Sequence, residues 1–433
     1  PALRDARIDG GGPGADAGAD ARSDGGTSWK PPAAFEGRCL TPDTPVRPVW
    51  ECYQVPVAKA AGQPVTVSRG GHSFKVTTFA DGGKTYVRFT PVSKGVWSLG
   101  TGGTVTINAD RPAYARGFLA ASGAQWTRTA TGEALVPQFV MYDRSDIRAG
   151  LDELVDGHGF TGFHLNELRD FLKHTAAIEE AVIETYRRGG VTHFWVWGDG
   201  NNTPGKYSVN VSQLYQAIGA RLGPIPGWSV GYGYDLWEWA SGAEIEAFRA
   251  TLRQLCDYHH MVGGRGHKNQ YKEISSKLDY ASWEWHRPLY GDYRKHIDNA
   301  GGRPAFSEDR FRIRDPSKYP GKDYTPELTS RGLWTSMIAG GVANIWGHQP
   351  KGKTYSAPYP NKTRIRTYSE FTRRAFAAGM VPDAKLSAAG HCLRAGSARG
   401  ACFVPNASSL ALDLSSFSGT VAVVAVDAKQ AYK

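Results

Sequence analysis

VTHFWVWGDGNNTPGKYSVNVSQLYQAIGARLGPIPGWSVGYGYD (191–235) carries two apolar runs with a helical segment between them, and its reading decides the fold. The runs VTHFWVWGDG (191–200) and WSVGYGYD (228–235) are rich in aromatic and β-branched residues, and acidic residues stand at their ends. SQLYQAIGARLG (212–223) has helical spacing and stops on glycine, as helices often do. Strand, helix and strand in this order place the two strands parallel in one sheet.

The same texture extends in both directions. Upstream lie LVPQFVMYD (135–143) and FTGFHLN (160–166), with the helix AAIEEAVIETYRRG (176–189) between them and the third strand. Downstream lie YHHMVGGR (258–265), KLDYASWEW (277–285), RPAFSEDR (303–310) and GVANIWGHQ (341–349). Eight strands in alternation with helices are what a closed barrel needs, and a chain of 433 residues has room for its roughly 250 residues. Most of these strands finish in Asp, Asn, Glu, Arg, His or Trp, at the rim where barrel enzymes keep their chemistry.

On either side the pattern shortens to β-rich runs broken by Gly, Asp and Pro, such as QPVTVSRGGHSFKVTTF, KTYVRFTP and GTVTINA before the barrel. The run SLALDLSSFSGTVAVVAVDA follows it. The expected fold class is therefore α/β: a (β/α)8 TIM barrel at 112–383, an N-terminal β-sandwich at 34–111 and a C-terminal β-sandwich at 384–433. Residues 1–33, rich in Gly, Ala, Asp and Pro, read as a disordered linker. Such a tether before a cysteine-bearing domain fits a secreted or cell-surface bacterial protein, with a lipid anchor upstream of Pro1 as one arrangement.

Cysteine spacing agrees with an oxidising compartment. Cys39 with Cys52 and Cys392 with Cys402 form two close pairs suited to local disulfides, whereas Cys256 stands alone in a helical stretch as a small buried residue. No CxxC spacing supports a metal site, and the adjacent His259 and His260 would point to opposite faces of a strand. No apolar stretch reaches the roughly 18 residues of a membrane span. No metal or other cofactor is expected, and neither a phosphate-binding loop nor a serine-esterase elbow occurs.

The net charge of +10, from 51 basic and 41 acidic residues, favours an anionic partner. The basic residues are spread along the chain without a long run, which argues against nucleic acid. The 13 Trp and 20 Tyr offer flat apolar faces with polar edges, suited to sugar rings.

Cleaving a glycosidic bond takes a proton donor and a carboxylate that attacks the sugar or activates water. Two rim segments supply carboxyls. WSVGYGYDLWEW (228–239) sets Asp235 and Glu238 among Tyr232, Tyr234, Trp237 and Trp239, and RPAFSEDRFRIR (303–314) sets Glu308 beside Asp309 and the arginines 310, 312 and 314. Aromatic surroundings suit an acid, and nearby arginine suits an ionised nucleophile.

With GGKTYVRFTPVSKGVWSL (82–99), which resembles the immunoglobulin-like domain preceding many bacterial glycoside hydrolase barrels, these segments resemble the retaining clan A glycoside hydrolases, in particular the apiosidase-like barrels. The resemblance covers about residues 80 to 380. It implies a nucleophile at the end of strand seven, Glu308, and an acid/base at the end of strand four, in the GYGYDLWEW region. The usual Asn-Glu pair of strand four is absent. Tyr234-Asp235 stands nearest its place, so Asp235 and Glu238 both remain candidates for the acid.

The remaining rim residues read as substrate contacts: Asp143, His164, Asn166, Trp195, Trp197, Asp199, Tyr232, Trp237, Arg265, His267, Trp283, Glu284, Trp285, His286, Arg310, Arg312, Trp346 and His348. The expected partner is a polysaccharide or oligosaccharide, with an acidic, sulfated or uronate-containing glycan suggested by the charge. Two rival readings stay open: a catalytically inactive carbohydrate-binding protein, and an α-glycosidase with Asp235 as nucleophile and Asp279 as acid.

Overall fold

The computed structural model describes residues 27–142, 146–165, 168–267, 276–284, 289–311, 326–347 and 358–432. Seven strands come first: β1 (Tyr53–Pro56), β2 (Pro64–Arg69), β3 (His72–Thr77), β4 (Phe79–Asp81), β5 (Lys84–Phe89), β6 (Gly95–Ser98) and β7 (Thr104–Ile107). They pair antiparallel in two sheets, β1-β5-β4 and β3-β2-β6-β7. Alternation in Thr104–Ile107, exposed then buried in turn, sends Val105 and Ile107 inward with Val67, Phe89 and Trp97. Thr27 exchanges backbone hydrogen bonds with Arg111 and Ala113, so 27–33, read from sequence as linker, belongs to the fold. Residues 1–26 lie outside the described residues.

Next comes a small sheet that sequence patterning did not separate from the barrel: β8 (Leu119–Ser122), β9 (Gln125–Arg128) and β10 (Ala134–Leu135). Leu119 and Trp126 join the barrel's inner core, and the Trp126 indole donates to the carbonyl of Ala305 at 3.2 Å. Ala305 opens its strand, so this sheet plugs the end of the barrel opposite the rim.

The barrel follows as β11 (Gln138–Met141), β12 (Gly162–Leu165), β13 (Val191–Trp197), β14 (Trp228–Gly233), β15 (Val262–Gly263), β16 (Arg265–His267), β17 (Ala281–Glu284), β18 (Ala305–Phe311) and β19 (Ala343–Trp346). All pairings are parallel, and β11 pairs with both β12 and β19. β15 and β16 are two halves of one strand, so the eight expected strands are present and the sheet closes. Val262 and Gly263 pair with β14, while Arg265, Gly266 and His267 pair with β17. A Cβ at Gly263 would stand 2.0 Å from the ring of Tyr280, so glycine there lets that ring cross the strand.

Helices α1 (Ile147–Gly150, running on to His158), α2 (Thr175–Arg187), α3 (Val211–Ala217, running on to Leu222), α4 (Gly242–Leu255), α5 (Tyr290–Asn299), α6 (Pro326–Ile338) and α7 (Lys362–Ala375) pack outside. In α2 the spacing read from the sequence buries Ile178, Ala181, Val182 and Tyr186, and a left-handed Gly189 follows. α4 begins on a capping box in which Ser241 and Glu244 satisfy each other's backbone N–H. Among the described residues no helix is long and apolar enough to cross a membrane.

β20 (Val381–Pro382), β21 (His391–Ala395) and β22 (Arg399–Phe403) form one antiparallel sheet in which Cys392 faces its disulfide partner Cys402. Cys39 and Cys52 form the other disulfide, and Cys256 is buried and free. The β-prone run after Phe403 carries no strand: 404–432 lie outside any sheet, and Val423 and Val424 are exposed. β propensity favours extended backbone, but a strand also needs a hydrogen-bonded neighbour.

The N-terminal sheets are bound to the barrel by buried charge. Glu179 on α2 accepts from Arg88 of β5 and from Arg221 at 2.8 and 2.6 Å, and Glu51 pairs with Arg187 at 2.9 Å. Burial pushes the Glu179 carboxyl up, but the two guanidiniums outweigh it and hold the group below the ordinary glutamate value of 4.5. A depressed carboxylate stabilises the fold above its unfolded value and loses that contribution as pH falls below it. Acid should therefore loosen this junction as pH drops below 4.5, read as rising amide exchange in 84–90 and 175–187. Glu179→Gln should remove that pH dependence and cost about 3–5 kcal/mol in denaturant unfolding, because Arg88 stays buried without its partner.

Candidate active site

Period two along β18 turns Phe306 and Glu308 to the same side, and Phe306 belongs to the inner core. The register against β19 then jumps from Ser307–Asn344 to Arg310–Ile345, a bulge that inserts Glu308 and Asp309 without partners. Bulges at barrel rims re-aim side chains, and this one directs the Glu308 carboxyl across the interior. It points at strand four, where a Cβ on Gly231 would stand 2.9 Å from both carboxylate oxygens.

Two side chains of strand three and one just ahead of strand six surround that carboxylate. Tyr280 donates its hydroxyl to Oε1 at 2.5 Å, the Trp195 indole N–H donates to Oε2 at 3.1 Å, and His193 Nε2 lies 3.3 Å from Oε1. Glu308, Trp195 and His193 are fully buried. Burial, and then the charge of Glu308, hold the Tyr280 phenol well above its ordinary value, so it stays protonated and donates. A carboxylate offers roughly four lone-pair sites. Two on Oε1 face Tyr280 and His193, and Trp195 takes one on Oε2, which among the described residues leaves the other pair of Oε2 without a donor.

Two glycines make room for this arrangement. Gly231 and Gly263 are register partners on adjacent strands. A side chain on the first would meet Glu308 and Trp195, and one on the second would meet the Tyr280 ring. The hollow between them is where those three side chains meet.

Arg265, also buried, connects strands five, seven and four. Its Nη1 donates to the carbonyl of Glu308 at 3.2 Å, its Nη2 is paired with Asp235, and its guanidinium lies 5.2 Å from the Trp195 ring centre. Asp235 takes a left-handed backbone conformation (φ 51°), rare for a residue with a side chain. There it turns the chain from β14 into the short helical turn Leu236–Glu238. Glu238 and Trp237 on that turn are exposed.

Of the residues expected from sequence, Glu308, Asp235, His164, Trp195 and Arg265 come together. Asp199 is half-buried after β13. Trp197, Tyr232, Trp283 and Trp346 do not line the mouth: they are core residues, and this corrects their reading as substrate contacts. Trp197 and Tyr232 reach Tyr215 on α3, Trp283 stacks on His296 of α5 with centroids 3.7 Å apart, and Trp346 bonds Gln138. Trp197 shares the parity of Trp195 but ends its strand, where its indole reaches α3. Asp143, Asn166, Trp285, His286, Arg312 and His348 lie outside the described residues, as do the side chains of His267, Glu284 and Arg310.

Asp279 precedes its strand and is bonded to Arg249, Arg253 and the backbone N–H of Val262, far from an acid's place at the rim. Tyr280, His193, Gly231 and Gly263 are not among the residues that the sequence pointed to. Glycines inside two successive strands were the available signal, since glycine in a strand often marks close approach by another group. Among the described residues no cluster of His, Cys, Asp and Glu is arranged to hold a metal ion.

No protein-family model and no curated protein matches the chain. Solved structures do. A candidate glycoside hydrolase from Bacteroides vulgatus superposes with TM-score 0.62 at 13% identity, over 76% of this chain and 78% of its own. A second glycoside hydrolase matches at TM-score 0.51 and 13% identity over 66% and 82% of the two chains. A family 5 glycoside hydrolase from Bacteroides vulgatus matches at 0.50 and 14% over 65% and 79%. The likeness is one of fold: this chain has the barrel of glycoside hydrolases.

Gly231→Ala should leave the far-ultraviolet circular dichroism unchanged while displacing Glu308. A catalytic carboxylate moved by about 1 Å loses activity on the order of 10²-fold. If the chain hydrolyses a glycan, an unchanged rate in this variant would show that the hollow is not needed.

Proposed function

We propose that the chain is a retaining glycoside hydrolase in which Glu308 is the nucleophile and Glu238 the acid/base. The observation that carries this is the Glu308 carboxylate, held inside a barrel rim by Tyr280 and Trp195 with Trp195 the one donor to Oε2 among the described residues. In the first step Oε2 forms a bond to the anomeric carbon while the bond to the leaving oxygen breaks, and that oxygen takes its pair and a proton from Glu238. In the second step Glu238 accepts a proton from water, the water oxygen bonds to the anomeric carbon, and the ester bond returns its pair to Glu308.

The choice of Glu238 over Asp235 rests on partners. Asp235 is bound to Arg265, which also holds the backbone of Glu308, so it works as a positioning residue. Glu238 is exposed on the turn that follows strand four, next to Trp237, a surface on which a sugar ring can stack. The shared fold with glycoside hydrolases supports the reaction class. The net charge of +10 supports an acidic, sulfated or uronate-containing polysaccharide, and the two disulfides support a secreted or cell-surface protein.

Glu308→Gln should abolish hydrolysis on every glycan the wild type cleaves, with binding retained. Glu238→Gln should fail on natural linkages but keep most activity on aryl glycosides whose leaving group needs no proton. Peptide mapping after a slow fluorinated glycoside should find the label on Glu308; a label on Asp235 would overturn the assignment. A panel of sulfated, uronate-containing and neutral polysaccharides identifies the glycan, and equal rates on neutral polymers would count against an acidic substrate.

A further inference from the structure

Behind Glu308 lies a pair of buried histidines that the proposed chemistry does not use. His164 on β12 and His193 on β13 are register neighbours, both fully buried. Their Nδ1 atoms are 2.8 Å apart. On its other side His193 Nε2 stands 3.2 Å from the Tyr280 hydroxyl and 3.3 Å from Glu308 Oε1. Phe139 and Phe306 pack on the His193 ring, and Trp195 packs edge-on against His164.

Hydrogen-bond accounting assigns the protons. Tyr280 spends its one hydrogen on Glu308, so its oxygen and the carboxylate both present lone pairs to His193 Nε2. Two acceptors facing one ring nitrogen require a hydrogen on that nitrogen. Two Nδ1 atoms at 2.8 Å, in turn, hold a single proton between them: two would collide, and none would leave two lone pairs opposed. A single proton on His193 at Nε2 leaves its Nδ1 to accept and His164 to donate.

We propose that His164 is a positioning residue that fixes the tautomer of His193, and that His193 thereby supplies a second donor to the non-attacking oxygen of Glu308. This rests on the assignment of Glu308 as nucleophile. When Oε2 bonds to the sugar, Oε1 becomes the ester carbonyl. When the ester is cleaved, negative charge returns to the carboxylate, and donors on Oε1 stabilise that leaving group. Among the described residues, Glu308 and Tyr280 are charged and titratable groups that face the pair, and Arg265 lies beyond the Trp195 ring.

The test replaces His164 by residues of opposite hydrogen-bonding sense. In His164→Asn the amide N–H stands where Nδ1–H stood, so His193 keeps its tautomer; in His164→Asp a carboxylate accepts and draws the proton onto His193 Nδ1. Nitrogen-15 histidine NMR on the whole protein should find wild-type His193 protonated at Nε2 and bare at Nδ1. It should find the same in His164→Asn, and Nδ1 protonated in His164→Asp. Turnover should follow, within about three-fold of wild type for Asn and down on the order of 10²-fold for Asp, the range of losing one such donor.

A wild-type His193 that carries its proton on Nδ1 overturns the proposal, as does an Asp variant as fast as Asn. Should His164→Asp fail to fold, His193→Gln, whose amide N–H replaces Nε2–H, is compared with His193→Met, and equal rates for these two overturn it. The NMR measurement needs no turnover, so a failed glycosidase assignment and a failed tautomer assignment give different results.

Discussion

Burial of the Glu308 carboxylate is the constraint on which the site depends. A carboxylate removed from water costs several kcal/mol unless hydrogen bonds replace the lost hydration. Here the replacement comes from two strands at once: Tyr280 just ahead of strand six, and Trp195 and the Nε2 of His193 from strand three. Because strands three, six and seven meet only across the barrel interior, the barrel must be assembled before the carboxylate is satisfied. Fold and site are in this sense one interaction.

Closure itself has the same requirement. The fifth strand reaches strand four with one half and strand six with the other, and its break falls in a run of glycines. Those glycines allow Tyr280 to cross toward Glu308, while Gly231 opposite leaves space for the carboxyl group. At the far end Trp126 fills the interior and bonds the first residue of strand seven, holding from below the strand that carries Glu308. The plug, the divided strand and the paired glycines all serve the placement of one side chain.

The rim works by a different principle. Arg265 gathers Asp235 and the backbone of Glu308 around a single guanidinium, with the Trp195 ring against it. A planar fork of donors suits such bridging better than a lysine would. It also separates the two acids by surroundings: Asp235 is paired with Arg265, whereas Glu238 is exposed on the turn that follows.

The sequence by itself determined the order of elements. Apolar runs alternating with helical segments appear eight times, the number a closed barrel needs. It also determined Glu308 as the residue to watch, and both cysteine pairs, since these depend on local spacing. Only the tertiary structure decided which aromatics face the interior. Trp195 and Trp197 look alike in the sequence and lie on the same strand, yet one bonds the carboxylate and the other a helix tyrosine. It alone joined His164, His193, Tyr280 and Glu308, which come from four strands, and it alone tied Asp235 to Arg265. The physical reason is that strand type follows from short-range pattern, whereas facing, packing and proton assignment follow from register between strands far apart in the chain.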